Sequence, residues 1–363
     1  MPNRHSASRK RRPLIAAAVV VVLGGGVGAV VAALFNGPAP TGSGTKAAGG
    51  TAGTTAATRA TTKADAACPL TGLPAPGGAV PQRPALAIKV GNDPAARPQS
   101  GLSEADIVYE VQAEGGITRL IAVYQCNSPA VVGPIRSLRW VDWHVVGQLG
   151  NPILVFAGGI IPDVNQVMQQ GWLFHVDALS FSGSPFIRTA NRVPPENLYG
   201  SPAGLWRLDH SSKPPAPVFH FSHSAPAGGE TISSINVPYS GASNITWSWS
   251  AAKGEWLRYY SGSPALGNGG EQLSATNVVV EYVNAPPGPY NESGPNSLGV
   301  RSQTIGSGPA WVLRNGRLYR ATWNRSSLAA PTTFVSASGS DLTLSPGRTW
   351  VEIVPNWVHG TIQ

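Results

Sequence analysis

No acidic residue occurs before Asp65, and only 12% of the 363 residues are charged at all. Cysteine is nearly absent: Cys68 and Cys126 stand alone, without CxxC spacing and with no histidine near either. That excludes the usual structural zinc frameworks. No HExxH occurs, and His144, His175, His210, His220, His223 and His359 are scattered, so no metal site is expected. Walker A, GxGxxG and GxSxG motifs are also missing, which leaves no nucleotide, dinucleotide or hydrolase signature and no expected cofactor. The net charge of +8 suggests nucleic-acid binding only until it is divided. Arg4, Arg9, Lys10, Arg11 and Arg12 account for five of the bases. The remaining 21 bases against 18 acids carry too little excess for a nucleic-acid partner.

What is present begins with an apolar run of 22 residues, 14–35, directly after that basic tail. At about 1.5 Å per residue a helix of this length covers the ~30 Å hydrocarbon core of a bilayer. The positive-inside bias keeps residues 1–13 in the cytoplasm and places the rest outside. A retained single-pass anchor is favoured over a cleaved signal, whose apolar region usually spans about 7 to 15 residues. Residues 36–67 have almost no large apolar side chains, which predicts a disordered linker. In an oxidising compartment the two cysteines are expected to pair, closing a loop of about 58 residues.

Globular patterning starts at Cys68. Residues 84–92 and 152–159 read as strands, and 161–171 reads as a helix closed by Gly171. Residues 137–149 have helical spacing, with Ser137 placed to cap. ADIVYEVQAE and ITRLIAVYQC flank Gly115-Gly116, a hairpin signal. If those glycines are the central pair, Glu110, Gln112, Glu114 and Arg119 share one face. The expected fold class is an α/β or α+β domain over 68–208, an interdomain linker at 209–216, and a mostly β domain over 217–357. Asn315-Gly316 predicts a type I′ turn there. Seven of the 11 tryptophans fall in that half, where core packing is favoured over a sugar-stacking platform.

Three stretches of the first half, CPLTGLP at 68–74, residues 96–125 and VGPIRSLR at 132–139, resemble the YerB-like family of bacterial extracytoplasmic proteins. So do NVVVEY at 277–282, TWNR at 322–325 and SPGRTWVEIVP at 345–355. The resemblance implies an extracytoplasmic protein of two paired domains, often attached by a lipid. It supplies architecture and place but no reaction. This chain departs at PPENLYG, 194–200, where Glu196 stands in the position at which the family typically carries a histidine.

The strongest candidate site is the turn Gly133–Arg139. Arg136 and Arg139 flank an expected helix start, where free N–H groups, the helix dipole and guanidinium forks favour an anion. Arg97 and Arg119 are expected to join them, with Asp93, Glu110 and Glu114 as supporting polar groups. The alternative is that these arginines only neutralise internal carboxylates. The sequence therefore reads as a membrane-anchored cell-envelope protein that binds an anionic wall or lipid-linked ligand. An envelope phosphotransferase and a non-catalytic scaffold are the competing readings.

Overall fold

The computed structural model describes residues 66–211 and 213–363. The span expected over 14–35, the tail 1–13 and all but the last two residues of the linker 36–67 lie outside them. Among the described residues no helix is long and apolar enough to cross a membrane.

In chain order the principal strands are β1 (Leu86–Gly91), β2 (Ile107–Gln112), β3 (Thr118–Tyr124), β4 (Ile153–Phe156), β5 (Phe174–Asp177), β6 (Ser234–Pro238) and β7 (Asn244–Ser250). They continue as β8 (Glu255–Tyr260), β9 (Asn277–Val283), β10 (Gly306–Arg314), β11 (Arg317–Arg325), β12 (Thr333–Ser336) and β13 (Thr349–Pro355). The α-helices are α1 (Val141–Val146), α2 (Ile161–Met168) and α3 (Pro202–Trp206). The expected α/β or α+β first half is therefore corrected: the described chain is mostly β, with helices of only six, eight and five residues. The helical spacing over 137–149 predicts a single helix there. The Asp142 carboxylate instead accepts the Arg139 backbone N–H at 2.8 Å, and α1 begins only at Val141. Ser137 caps nothing.

An eleven-stranded sheet runs in the order β12-β11-β10-β9-β13-β2-β3-β1-β4-β5, with Glu230–Thr231 added at β11. Its centre is the run TWVEIVP of β13, parallel to both β9 and β2 and buried along its length. Such β-branched, doubly covered strands are what central parallel pairing selects. Because β2 comes from the first half and β9 and β13 from the second, the sheet crosses the boundary expected at 209–216. A second, six-stranded sheet around β6, β7 and β8 packs on one face of the large one. Ile235, Ile245, Trp247 and Trp256 meet Val108, Leu120 and Trp350 there, so these tryptophans are core. The opposite face buries Tyr109, Val111 and Ile121 against Leu138 and α1. The Asn315-Gly316 turn forms as expected, with φ of 51° and 70°.

The β2–β3 hairpin differs from expectation by one residue. The Ala113 amide donates to Ile117 O, leaving a three-residue loop, Glu114–Gly116, in which Gly115 takes φ 66°. Arg119 then pairs with Val111, and Glu110 with Leu120. A one-residue slip sends side chains to the other face. The polar face expected to hold Glu110 and Arg119 together is thus split between the two sides of the sheet.

Candidate functional site

On the side of the second sheet, Glu110 and Glu352 are register partners on β2 and β13. Arg258 reaches across from β8 to both, at 2.8 Å to Glu352 Oε1 and in close contact with Glu110 Oε2; all three side chains are fully buried. Asn92 and Thr118 donate to Glu110 at 3.0 and 2.6 Å, and Trp247 donates to Glu352 at 2.8 Å. Arg97 belongs here too. It stacks 3.6 Å from the Tyr260 ring centroid and donates to Asn92 O and Ala242 O. Buried and shared between the two carboxylates, the Arg258 guanidinium clamps the two sheets together. This arrangement takes Glu110 and Arg97 out of the expected arginine site.

Burial and the charge of Glu110 push Glu352 up to about 8, against the pull of Arg258 and Trp247. The folded state then holds a proton that the unfolded chain releases near 4.5. The corresponding stability is present in acid and is lost as pH rises from about 4.5 through about 8. Glu281, pushed up to about 7 by burial, acts in the same direction. The melting temperature should therefore be lower at pH 8.5 than at pH 5.5. Glu352→Gln should flatten this slope; a profile that rises with pH would contradict it.

On the opposite side, three of the four expected arginines converge. Lys89, Gly91 and Arg119 lie along one face of neighbouring strands, and Gly91 has no Cβ because one would sit 2.7 Å from Arg136 Cγ. Arg136 is pinned by backbone bonds to Lys89 and Ala157, and its guanidinium meets Glu196 at 2.9 Å and Asp93 at 3.5 Å. Arg139 forms a two-pronged pair with Glu114 at 2.6 and 2.8 Å and also contacts Glu292. Lys89 is held by Asp142 at 2.5 Å. Four bases thus meet five acids, Asp93, Glu114, Asp142, Glu196 and Glu292.

The partners are unevenly matched. Burial raises the Glu114 carboxyl, but the hydrogen bonds and charge of Arg139 outweigh it and hold the group below its usual range. Glu196 goes the other way. Burial raises it, Arg136 offsets part of the rise, and Asp93 reinforces it by charge and hydrogen bonding. Arg119 is only 3% exposed, yet its carboxylate neighbours are distant, Asp93 at 3.4 Å and Glu114 at 4.0 Å. Its one hydrogen bond goes to Thr118 O at 3.2 Å, and its Nε has no partner. Burial and the charges of Arg136 and Arg139 lower its pKa. Arg136 Nε and Glu196 Oε2 are likewise unpartnered. A recess of about 300 Å³ adjoins this cluster, lined in part by Arg136, Ser137 and Arg188.

Sequence reasoning missed Lys89, Glu292, Arg258 and Glu352 as site residues, assigned Glu110 to the arginine cluster rather than to Arg258, and noted Glu196 only as a departure. Lys89 carried a readable signal, a lone cation inside the apolar strand LAIKVG. Glu292 carried none, since it lies in an otherwise exposed loop. The cysteines do pair: Cys68 and Cys126 form a disulfide across 58 residues.

Residues 70–214 match the N-terminal domain, and residues 235–351 the C-terminal domain, of the protein of unknown function DUF3048. The chain is 29% identical over 302 residues to YerB of Bacillus subtilis (strain 168), which carries a lipoprotein designation; the match covers 79% of this chain and 86% of that protein. A crystal structure of YerB from Bacillus subtilis superimposes with a TM-score of 0.70 at 25% identity, covering 82% of this chain and 99% of that one. The chain belongs to the YerB-like family, in which the N- and C-terminal DUF3048 domains are paired.

Proposed function

We propose that this protein works outside the cytoplasm at the bacterial cell membrane and binds an anionic envelope ligand between Arg119 and Arg136. The lipoprotein designation of its YerB relative supports the location. The incomplete coordination of Arg119 supports the ligand. A buried guanidinium normally takes charge-assisted bonds of about 2.7 to 2.9 Å, whereas both carboxylates near Arg119 stand farther off. A phosphate or carboxylate oxygen would supply what Asp93 and Glu114 do not. The Asp93–Glu196 carboxyl pair beside Arg136 suits a ligand that brings a hydroxyl or a protonated oxygen. The same pair is what favours the enzymatic reading, with Glu196 as a proton donor to a phosphoryl group.

Inorganic pyrophosphate should raise the melting temperature of the wild-type full-length protein. Arg119→Ala should keep most of its unliganded stability, because its ion pairs are long. It should lose the ligand response, at a binding deficit of roughly 1.5 to 3 kcal/mol. No response in the wild type, with a large fall in the unliganded variant, would make Arg119 structural.

A further inference from the structure

The hairpin Pro287–Asn291 / Leu298–Val300 comes from the second half and is exposed along most of its length. It nevertheless lies over the Arg139 end of the arginine cluster. Leu298–Val300 packs against the Glu114–Gly116 loop, and Arg301, just beyond it, sits 5.2 Å from the Trp140 ring centroid. From its tip Glu292 turns inward, with a side chain only 5% exposed, and contacts Arg139. Gly299 leaves the room this needs, since a Cβ there would collide with the Glu292 carboxylate. Arg139, however, is already engaged by both oxygens of Glu114. Around Glu292 stand Glu114 from the hairpin loop, Asp142 from α1 and Asp163 from α2. The bases are Arg139, Lys89 (which is bound to Asp142), Arg119, 4.0 Å from Glu114, and Arg301 just beyond the hairpin. With Asp93, Glu196 and Arg136 of the same cluster included, six acids face five bases; Glu292 Oε2 touches Arg139 without hydrogen-bond geometry, and Asp163 Oδ2 has no hydrogen-bond partner.

We propose that residues 287–300 form a proton-dependent strap that closes over Arg139 and gates the anion site; the gating rests on the anion reading, the strap does not. A surplus carboxylate is tolerated beneath the strap only with a proton on it. Burial, Asp163, Glu114 and Asp142 together push Glu292 up to about 7 despite Arg139, against 4.5 for a free carboxyl. The closed strap therefore binds the proton more tightly than the open one, and rising pH favours release. With those two values, closure weakens about tenfold between pH 6 and pH 8.

Hydrogen exchange of the strap amides in the full-length protein, corrected for intrinsic rates, tests this. Protection across 287–300 should fall about tenfold from pH 6 to pH 8 in the wild type. It should not change in Glu292→Gln, and it should fall less in Asp163→Asn. Unchanged wild-type protection, or the same fall in Glu292→Gln, overturns the strap. For gating, pyrophosphate affinity is compared between wild type and Glu292→Gln at each pH, so that the anion's own titration cancels. The ratio should widen in favour of the wild type as pH rises; a constant ratio overturns gating alone. A wild type that binds no pyrophosphate removes the anion reading and the gating with it, and the exchange result still decides the strap.

Discussion

Replacing Arg258 with alanine is expected to lower the stability of the protein by about 3 to 5 kcal/mol, the loss that follows when a buried ion pair keeps one side without its partner. The geometry makes this severe. Glu110 and Glu352 sit side by side on β2 and β13, both fully buried, and Arg258 is the shared counter-charge. Without it two carboxylates face each other in a site already walled by Trp247 and Trp350. The melting temperature should fall by roughly 5 to 8 °C. The triple variant Arg258→Met, Glu110→Gln, Glu352→Gln should recover much of that loss, because apolar or neutral replacement of a whole buried triad is often tolerated. A loss near zero for Arg258→Ala would mean that the sheets are held by their apolar contacts alone.

Removing the disulfide should be nearly as damaging. Cys68 and Cys126 are 58 residues apart, and on the chain-entropy model such a loop stabilises by about 4 kcal/mol. The bond ties the first described residues to the end of β3, and the core around it is small, Ala75 and Val80 being its main apolar neighbours. Arg83 supports the same junction by donating to the carbonyls of Gln125, Cys126 and Asn127. The double variant Cys68→Ala, Cys126→Ala should therefore melt well below the wild type, and reductant should lower the wild type toward it. Reduction without any change in melting would contradict this.

Local signals in the sequence were reliable where one strand or turn decides the outcome. The apolar run of β1, the Asn315-Gly316 turn and the lone cysteine pair all form as their residues suggest. The β2–β3 register was not legible, because Glu114-Gly115-Gly116 fits either a two-residue or a three-residue loop. The choice of three residues sends Glu110 and Arg119 to opposite faces. Helical spacing misled over 137–149, since the Asp142 side chain captures the Arg139 amide and delays the helix. The Arg258 triad joins residues 94 and 148 positions apart, and a single sequence carries no trace of such pairings. The convergence of Arg119, Arg136 and Arg139 was legible as a possibility from residue type. Their surplus of acidic partners was not, because Glu196 and Glu292 arrive from distant loops. The division expected at 209–216 meets a sheet whose strands pair across it.

The central claim is that Arg119 lacks a partner which an anion supplies. Calorimetric titration of full-length wild type and Arg119→Ala with inorganic pyrophosphate measures this most directly. The account predicts saturable one-site binding by the wild type, weakened roughly tenfold or more in Arg119→Ala, as loss of a charged hydrogen bond requires. Equal affinity in the two proteins, or no binding by either, would contradict it.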